Sequence, residues 1–376
     1  MKPPIKGFND FTGDEAVRRA EIRKILVETF EKYGFEPAET PIIEDEKFVR
    51  GDNQNDEAVS DIYKLKDKGK RKLALRYEFT FQLKRLAKNK KLPYRRYQIG
   101  EVFRDEPVSS NRSRQFVQCD GDIIGSTIKD EAELLSMTKD ILEKLGLKFT
   151  ILINNRKILN DILDDLGIKK NREQILRELD KLDKQGPQRT QDVLYKLGAG
   201  DLLEAMSQGE EYFSKFDSYK EIIGLMEYCK VYGVKVLFSP SVIRGLSYYN
   251  GSVFEIKAEG AKETICAGGS YMIRDVQATG ISFGLDRLAI LSKIKSEKEN
   301  FLVVSLGQDR EAIKLTQKLR KKNKTASLFY GKPSKALEYA NSKNISKVIF
   351  VGDKEVKSKK FKVKDMKSGK ENLLKG

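Results

Sequence analysis

Histidine is absent from the 376 residues of the sequence, and cysteine occurs only at Cys119, Cys229 and Cys266. The absence of histidine disfavours triad hydrolases and histidine-ligated metal centres, because histidine is the usual acid–base group near neutral pH. The cysteines are too far apart for a Cys-x-x-Cys zinc site or a disulfide framework, so we expect no metal site and a reducing compartment. No apolar run approaches the ~18 residues of a membrane span, and the N-terminus lacks the apolar core of a signal peptide. We therefore expect a cytoplasmic protein without a membrane partner.

Basic residues are concentrated at the C-terminal end. Residues 301–376 contain 20 Lys and Arg against 7 Asp and Glu, which is +13 of the formal net charge of +16. The other 300 residues hold 52 basic and 49 acidic side chains. A strongly basic segment favours binding to a polyanion, since Lys and Arg displace counterions from phosphates. A lysine-rich surface in a biased genome or a heat-adapted organism would give the same charge, so both explanations stay open.

The spacing of apolar residues predicts the order of the elements. The region 156–235 is predicted to be mostly helical and polar, and prolines at 37 and 41 predict an extended segment at 35–44. The other predicted elements are a helix at 15–32, strands at 71–76, 95–104, 114–124, 235–239 and 253–258, helices at 172–184, 201–215 and 217–232, and a strand-to-helix transition at 279–294.

The C-terminal segment alternates between strand and helix. Strands are predicted at 301–305, 326–330 and 347–351, with helices at 309–323 and 333–343 between them. This order indicates a small α/β domain with a parallel sheet. Because 293–300 is charged and poor in apolar residues, we place a hinge there and expect two domains, 1–296 and 299–376.

One predicted strand carries an unusual set of polar side chains. Alternate positions of a regular strand share one face, and on this face they are Arg112, Arg114, Phe116, Gln118, Asp120 and Asp122. Such a face is costly to bury without ligands or partners. Two arginines suited to phosphate, an aromatic ring and an acid–amide pair fit a surface for a nucleotide and an amino acid. An edge hairpin with one solvated face would give the same pattern, so that alternative stays open.

Residues 243–257 are the most informative stretch: Ile-Arg-Gly-Leu-Ser-Tyr-Tyr-Asn-Gly-Ser-Val-Phe-Glu-Ile-Lys. Arg244 and two phenols, Tyr248 and Tyr249, stand at the entrance of a strand, where they can converge on a small charged ligand. This stretch resembles the histidine-binding signature of histidyl-tRNA synthetases, which are class II aminoacyl-tRNA synthetases.

Further segments share this resemblance, which covers almost the whole chain. They resemble motif 1 of class II enzymes at 39–44, the segment for the substrate ammonium at 73–80, motif 2 at 102–118, a helical-insertion signature at 176–184 and motif 3 at 280–288. The resemblance implies a class II catalytic domain with an antiparallel sheet at 1–296, in which 156–235 is a helical insertion. It also implies that 299–376 is a basic α/β anticodon-binding domain.

The resemblance also implies roles for individual residues. Arg104 and Arg244 would be catalytic, bracketing the ATP α-phosphate and the substrate carboxylate. Glu78 would pair with the substrate ammonium, and Asp122 would accept from the imidazole N–H. The implied histidine site comprises Glu78, Phe79, Thr80, Arg104, Gln118, Asp122, Arg244, Tyr248, Tyr249 and Tyr271. The implied ATP site comprises Arg104, Glu106 at the adenine edge, Arg112 at the outer phosphates, Phe116 stacked on the base, Gly284 beside the nucleotide and Arg287 at the γ-phosphate.

The sequence departs from the family pattern at three places. Ser247 stands where an acid is usual, and Ser270 and Met272 replace the Arg and Asp of a usual Gly-Gly-Arg-Tyr-Asp. The motif 2 loop at 107–111 is also unusual. Because of these departures, two questions stay open: which residues contact the end of the tRNA, and which residues hold the substrate-binding side chains in position.

The function that the resemblance implies is a histidine–tRNA ligase. It would activate L-histidine with ATP and Mg²⁺ and transfer it to the 3′ end of tRNA(His), as a homodimer through motif 1. A chain without histidine fits this reaction, because the activation step needs no acid–base group from the protein. The substrate carboxylate is itself the nucleophile, and the activation barrier is lowered by stabilisation of charge at the α-phosphorus. The alternatives are a catalytically silent paralogue that senses histidine and regulates a partner enzyme of histidine biosynthesis, and a class IIa ligase for Thr, Pro or Gly, which Tyr248-Tyr249 disfavours.

Overall fold

A computed structural model describes residues 2–50, 61–109, 112–243, 248–261, 264–294 and 299–374. The chain divides into two compact units, 1–294 and 295–376. The hinge predicted at 293–300 stays a prediction, since 295–298 lie outside the described residues.

The N-terminal unit contains both helices and strands. Its helices are α1 Gly13–Lys32, α2 Glu46–Arg50, α3 Thr80–Leu86, α4 Ile128–Lys144, α5 Arg156–Asp165, α6 Arg172–Asp180, α7 Leu182–Gln185, α8 Pro187–Lys196, α9 Leu202–Met206, α10 Glu210–Phe213, α11 Asp217–Val231 and α12 Leu285–Leu291. Its strands are β1 Glu36–Pro37, β2 Ile43–Asp45, β3 Lys64–Lys66, β4 Lys72–Leu75, β5 Tyr94–Phe103, β6 Gln115–Ile124, β7 Phe149–Asn155, β8 Val236–Phe238, β9 Tyr249–Ala258, β10 Thr264–Ile273 and β11 Val276–Gly284.

An eight-stranded sheet organises this unit, in the order β1-β5-β6-β11-β10-β9-β7-β8. The pairs β1–β5 and β7–β8 are parallel, and the others are antiparallel. This confirms the predicted fold class. A smaller sheet, β2-β4-β3, includes the end of the extended segment at 35–44, since β2 begins at Ile43. The helical region predicted at 156–235 corresponds to α5–α11, although the helices predicted at 172–184 and 201–215 are each broken into two shorter pieces.

The two faces of the large sheet differ in polarity. On β6, Val117, Cys119 and Ile123 belong to the apolar core that includes Phe30 of α1, and the Phe30 ring stacks on Tyr97 of β5 with centroids 5.2 Å apart. The alternate residues of β5, β6 and β11 form the opposite face, which we call the polar face; they include Arg96, Gln98, Gln118, Asp120, Asp122 and Ser282. Since β5 and β6 are interior strands and most of these side chains are buried, the alternative of a solvated edge hairpin is wrong.

The C-terminal unit is a five-stranded α/β domain. Its elements are β12 Asn300–Ser305, α13 Asp309–Lys321, β13 Thr325–Tyr330, α14 Pro333–Ser342, β14 Lys347–Val351, α15 Asp353–Ser358, β15 Lys362–Asp365 and β16 Glu371–Leu373. The first three strands are parallel, as predicted, with helices packed on both faces. The strands β15 and β16 extend the sheet in antiparallel fashion. The sequence analysis missed them because they are short and mostly exposed, so they lack the apolar alternation of a strand.

Two general expectations from composition can be compared with the structure. Cys119, Cys229 and Cys266 are buried, and each is a free thiol. Among the helices that the structure describes, none is long and apolar enough to cross a membrane.

Candidate substrate-binding site

Arg104 lies at the end of the polar face, just after β5. Its Nε donates to the Tyr77 carbonyl at 3.2 Å, and Nη2 donates to Gln118 Oε1 at 3.5 Å. Its Nη1 is 3.8 Å from Glu106 Oε1, and the guanidinium carbon lies 5.1 Å from the centroid of the Phe116 ring. The structure therefore brings together four residues that the sequence analysis assigned to the site, and it leaves Arg104 one-third exposed.

The loop between β5 and β6 carries two further arginines. The Arg112 guanidinium is 3.2 Å from Glu106 Oε2, and the Arg114 guanidinium is 3.2 Å from Asp105 Oδ1. Because β6 begins at Gln115, Arg112 and Arg114 lie in the loop and not on the strand face on which they were predicted. The Arg114 amide donates to the Gly7 carbonyl at 2.8 Å, and the Arg114 carbonyl accepts from the Arg104 amide at 2.8 Å, so the backbone at 114 joins the N-terminal segment to the residue that follows β5. Residues 110 and 111 of this loop lie outside the described residues.

Glu78 is a buried carboxyl group just before α3. Its pKa is raised to about 8, chiefly by burial and also by the nearby Asp120 and Asp122, although Arg104 and a hydrogen bond with Thr80 act in the opposite direction. A carboxyl group with this pKa near a cluster of charged groups is typical of a functional site. Phe79, between Glu78 and Thr80, is fully buried, with the Arg76 guanidinium 4.9 Å from its ring centroid.

Asp122 is held on the polar face by two partners. Arg96 Nη2 is 2.8 Å from Asp122 Oδ2, and the Tyr271 hydroxyl donates to Oδ1. Burial raises the pKa of Asp122, and Arg96 opposes that rise. Next to it, Asp120 Oδ2 accepts from Gln118 Nε2 at 2.8 Å, and burial together with Asp122 raises the pKa of Asp120. The result is a buried cluster of acids with one buried arginine.

The sequence analysis missed Arg96, which is fully buried. The sequence did contain an indication of it. Alternate residues of a strand lie on one face, so Arg96 is expected on the same face as Gln98, Gly100 and Arg104. The sequence analysis also missed Gly280, where a Cβ would overlap Asp122 Oδ1. Gly284, which was assigned to the nucleotide site, would meet nothing closer than the Arg287 side chain at 3.8 Å. In this structure the glycine at 280, and not the one at 284, makes room for an acid.

Three tyrosines border the acid cluster. The ring centroids of Tyr248 and Tyr249 are 4.7 Å apart, and those of Tyr248 and Tyr271 are 5.5 Å apart. Burial raises the pKa of Tyr248 and Tyr271 well above the usual value, and the charges of Glu78 and Asp122 add to these shifts. Tyr248 and Tyr271 therefore remain neutral phenols at neutral pH.

Arg287 and Arg244 are the two remaining arginines that the sequence analysis assigned to the site. Arg287, in α12, donates from Nη1 to the Thr264 carbonyl at 2.6 Å. Arg244 lies outside the described residues, as does Ser247. The other predicted histidine-site residues lie in the described part of the chain, on or beside the polar face.

Two family models match the sequence. The model for histidyl-tRNA synthetase matches residues 7–288, and the model for an anticodon binding domain matches residues 300–375. A histidine–tRNA ligase 1 of Bacillus cereus is 32% identical over 411 aligned residues, which cover 98% of this chain and 94% of that protein.

Solved structures have the same fold. A histidyl-tRNA synthetase from Nostoc sp. PCC 7120 superposes with a TM-score of 0.86 at 24% identity, over 99% of this chain and 96% of that one. An ATP phosphoribosyltransferase regulatory subunit/histidyl-tRNA synthetase from Bacillus halodurans C superposes with a TM-score of 0.79 at 23% identity, over 93% and 99%. At these identities the likeness shows the fold alone.

Proposed function

This chain belongs to the histidyl-tRNA synthetase family, and we propose that it is a histidine–tRNA ligase. It activates L-histidine with ATP to form histidyl-adenylate and pyrophosphate, and then transfers the histidyl group to the 3′ end of tRNA(His). The observation that carries this proposal is the buried cluster of Glu78, Gln118 and Asp122 beside Arg104. It combines acids for a cationic amino acid with a cation for its carboxylate and for phosphate.

The amino-acid site is assigned by charge. Glu78 pairs with the ammonium of histidine, with Thr80 and Gln118 beside it, and Asp122 accepts a hydrogen bond from the imidazole ring. Tyr248, Tyr249 and Tyr271 supply the walls, and a neutral phenol can donate a hydrogen bond to a ring nitrogen. Arg244, with Arg104, holds the substrate carboxylate.

The nucleotide site is assigned to the motif 2 loop and the start of α12. Glu106 accepts from the adenine amino group, and Phe116 stacks on the base. Arg112 and Arg287 pair with the outer phosphates, with Gly284 beside them, and Mg²⁺ accompanies those phosphates. The Arg112–Glu106 and Arg287–Thr264 contacts present in the structure would then be exchanged for contacts with ATP.

The chemistry requires no general base in the first step. The histidine carboxylate attacks the α-phosphorus, and pyrophosphate leaves. Arg104 stabilises the negative charge that develops on the phosphoryl oxygens, and a fixed cation in a partly buried site does so without reorganising. In the second step a ribose hydroxyl of the tRNA attacks the activated carbonyl, and AMP leaves.

The C-terminal unit is assigned to tRNA binding, because it carries most of the net positive charge and matches an anticodon binding domain. A chain that ends at residue 298 should keep histidine-dependent pyrophosphate exchange but lose charging of tRNA(His). The full-length chain should bind tRNA with an affinity that falls steeply as the salt concentration rises. Loss of exchange with retention of charging would contradict the assignment.

We also infer a homodimer through the segment at 39–44. Ile42 and Ile43 are exposed there, and the short parallel strand β1 lies at the sheet edge, where an exposed edge invites pairing. Light scattering at micromolar concentration should give twice the chain mass. A fully active monomer would refute this inference. The proposed compartment is the cytoplasm, where tRNA is charged.

The second candidate is a regulatory paralogue that binds histidine without activating it, since a fold match carries the name of a regulatory subunit. Pyrophosphate exchange distinguishes the two functions. A ligase exchanges pyrophosphate with histidine and not with threonine, proline or glycine. Histidine binding without exchange would favour the paralogue.

A further inference from the structure

A polar cavity lies on the side of β10 opposite the polar face. It has a volume of about 250 Å³, and Glu131, Lys157, Glu221, Ser252 and Ser270 line it; we call it the rear cavity. Ser270 and Tyr271 are neighbours on β10, and their side chains lie on opposite faces of the sheet because side chains alternate along a strand. The rear cavity is therefore separate from the site on the polar face.

Glu131 is a buried carboxyl group that faces the rear cavity. It is 6% exposed, and its Oε1 accepts a hydrogen bond from the Ser270 hydroxyl. Oε2 has no hydrogen-bond partner among the described residues, although the Ser252 hydroxyl is near enough to lower the pKa. Burial raises the pKa of Glu131, and the charges of Glu221 and Asp130 raise it as well.

The cation that lines the rear cavity is already paired. Lys157 Nζ lies 2.7 Å from Glu221 Oε1, and Asn155 Nδ2 donates to Glu221 Oε2 at 2.7 Å. With Glu131 ionised, these three charged groups sum to one negative charge. A buried carboxylate without a cation is costly, so a proton or a bound cation must compensate for it.

We propose that the rear cavity binds a small cation with hydrogen-bond donors, of the ammonium or guanidinium class, with Glu131 as its counter-charge. The volume of the cavity is several times the ~30 Å³ that one water molecule occupies, so a small organic cation fits in it. The hydroxyls of Ser252 and Ser270 add oxygen acceptors beside the carboxylate. The proposal does not depend on which reaction the polar face performs.

The test uses the full chain and guanidinium chloride as the probe, at low millimolar concentration and constant ionic strength. Tm should rise with the logarithm of guanidinium concentration, by about 2–3 °C at tenfold excess over Kd. Tetramethylammonium, a cation without N–H donors, should have no effect. Glu131→Gln should abolish the response, whereas Glu143→Gln, which removes an exposed acid from the same helix α4, should retain it.

A second variant tests the same site without added ligand. Ser270→Arg should place a tethered guanidinium against Glu131, raise Tm by a similar amount and remove the response to guanidinium. Absence of a response in the wild type, or an equal response in Glu131→Gln, would overturn the proposal and indicate that a proton alone neutralises Glu131. A Ser270→Arg variant less stable than the wild type would also count against a guanidinium site.

Discussion

The two units of this protein use charge in opposite ways. In the N-terminal unit the ion pair between Arg96 and Asp122 has side-chain exposures of 0% and 7%. In the C-terminal unit the ion pair between Lys335 and Glu338 has side-chain exposures of 72% and 70%. The first unit is nearly neutral overall, and the second carries +13.

This difference matters because the cost of a charge depends on burial. Removing one partner of a buried pair strands the other in a medium that solvates it poorly, whereas an exposed pair contributes little and is screened by salt. The N-terminal charges are therefore expected to act individually. The C-terminal charges are expected to act collectively, through the potential they create at a polyanion.

The largest expected effect is on stability, from Arg96→Met. This change leaves Asp122 buried without its cation and should lower the free energy of unfolding by about 3–5 kcal/mol, as measured by urea denaturation. The double variant Arg96→Met/Asp122→Asn removes both charges and should be closer to the wild type. A single variant as stable as the wild type would mean that Asp122 is already protonated.

The next effect is on catalysis, from Arg104→Ala. Loss of one preorganised donor costs about 10²–10³ in rate, so histidine-dependent pyrophosphate exchange should fall by that factor. Arg104→Lys should recover little, because a point charge does not reproduce the planar guanidinium. Arg71→Ala, which removes an exposed arginine paired with Asp67, is the matched control, and circular dichroism checks the fold. Equal exchange by the Arg104 and Arg71 variants would remove Arg104 from the site.

A third prediction concerns pH and Glu78, whose pKa is raised to about 8. Only the ionised carboxylate attracts the substrate ammonium, so KM for histidine should fall by up to about tenfold per unit as pH rises towards 8. Glu78→Gln should raise KM and remove the dependence above about pH 7, where the imidazole of the substrate itself, with its usual pKa of about 6.5, is already mostly neutral. Since the chain has no histidine, its own imidazoles cannot cause the titration. A pH-independent KM in the wild type would refute the role.

The same group predicts a dependence of stability on pH. The folded state keeps the Glu78 proton up to about pH 8, whereas the unfolded state loses it near 4.5, so the folded state binds more protons between these values. The free energy of unfolding must therefore fall as pH rises, by at most ~1.4 kcal/mol per unit for one group. The wild type should lose more stability between pH 5 and pH 8 than Glu78→Gln does.

The smallest expected effect is from a single exposed lysine. Lys335→Ala should leave urea unfolding within error of the wild type, because its ion pair is solvated. If the lysine contacts a phosphate of tRNA, the slope of log affinity against log salt should fall by about one at most. A loss comparable to that from Arg104→Ala would show that this lysine acts individually, and the contrast between the units would fail.

Some features were predictable because they are local. Alternation along 115–124 gave the polar and apolar faces of β6, since backbone geometry fixes side-chain direction. The three parallel strands of the C-terminal unit followed from short apolar runs separated by helices. Glu78, Gln118 and Asp122 were placed by family resemblance, and the structure brings them together; their roles stay predictions.

Other features depended on contacts between distant segments. The sequence does not indicate that Arg96 lies against Asp122, because this requires the register of β5 against β6. Nor does it indicate that Ser270 reaches Glu131, 139 residues away, or that Gly280 clears space for Asp122. Local periodicity determined which side chains share a face. Strand register and helix packing decided which of these side chains are in contact. Burial of the contacts shifts the pKa values of the ionisable groups, because the charged form is poorly solvated away from water.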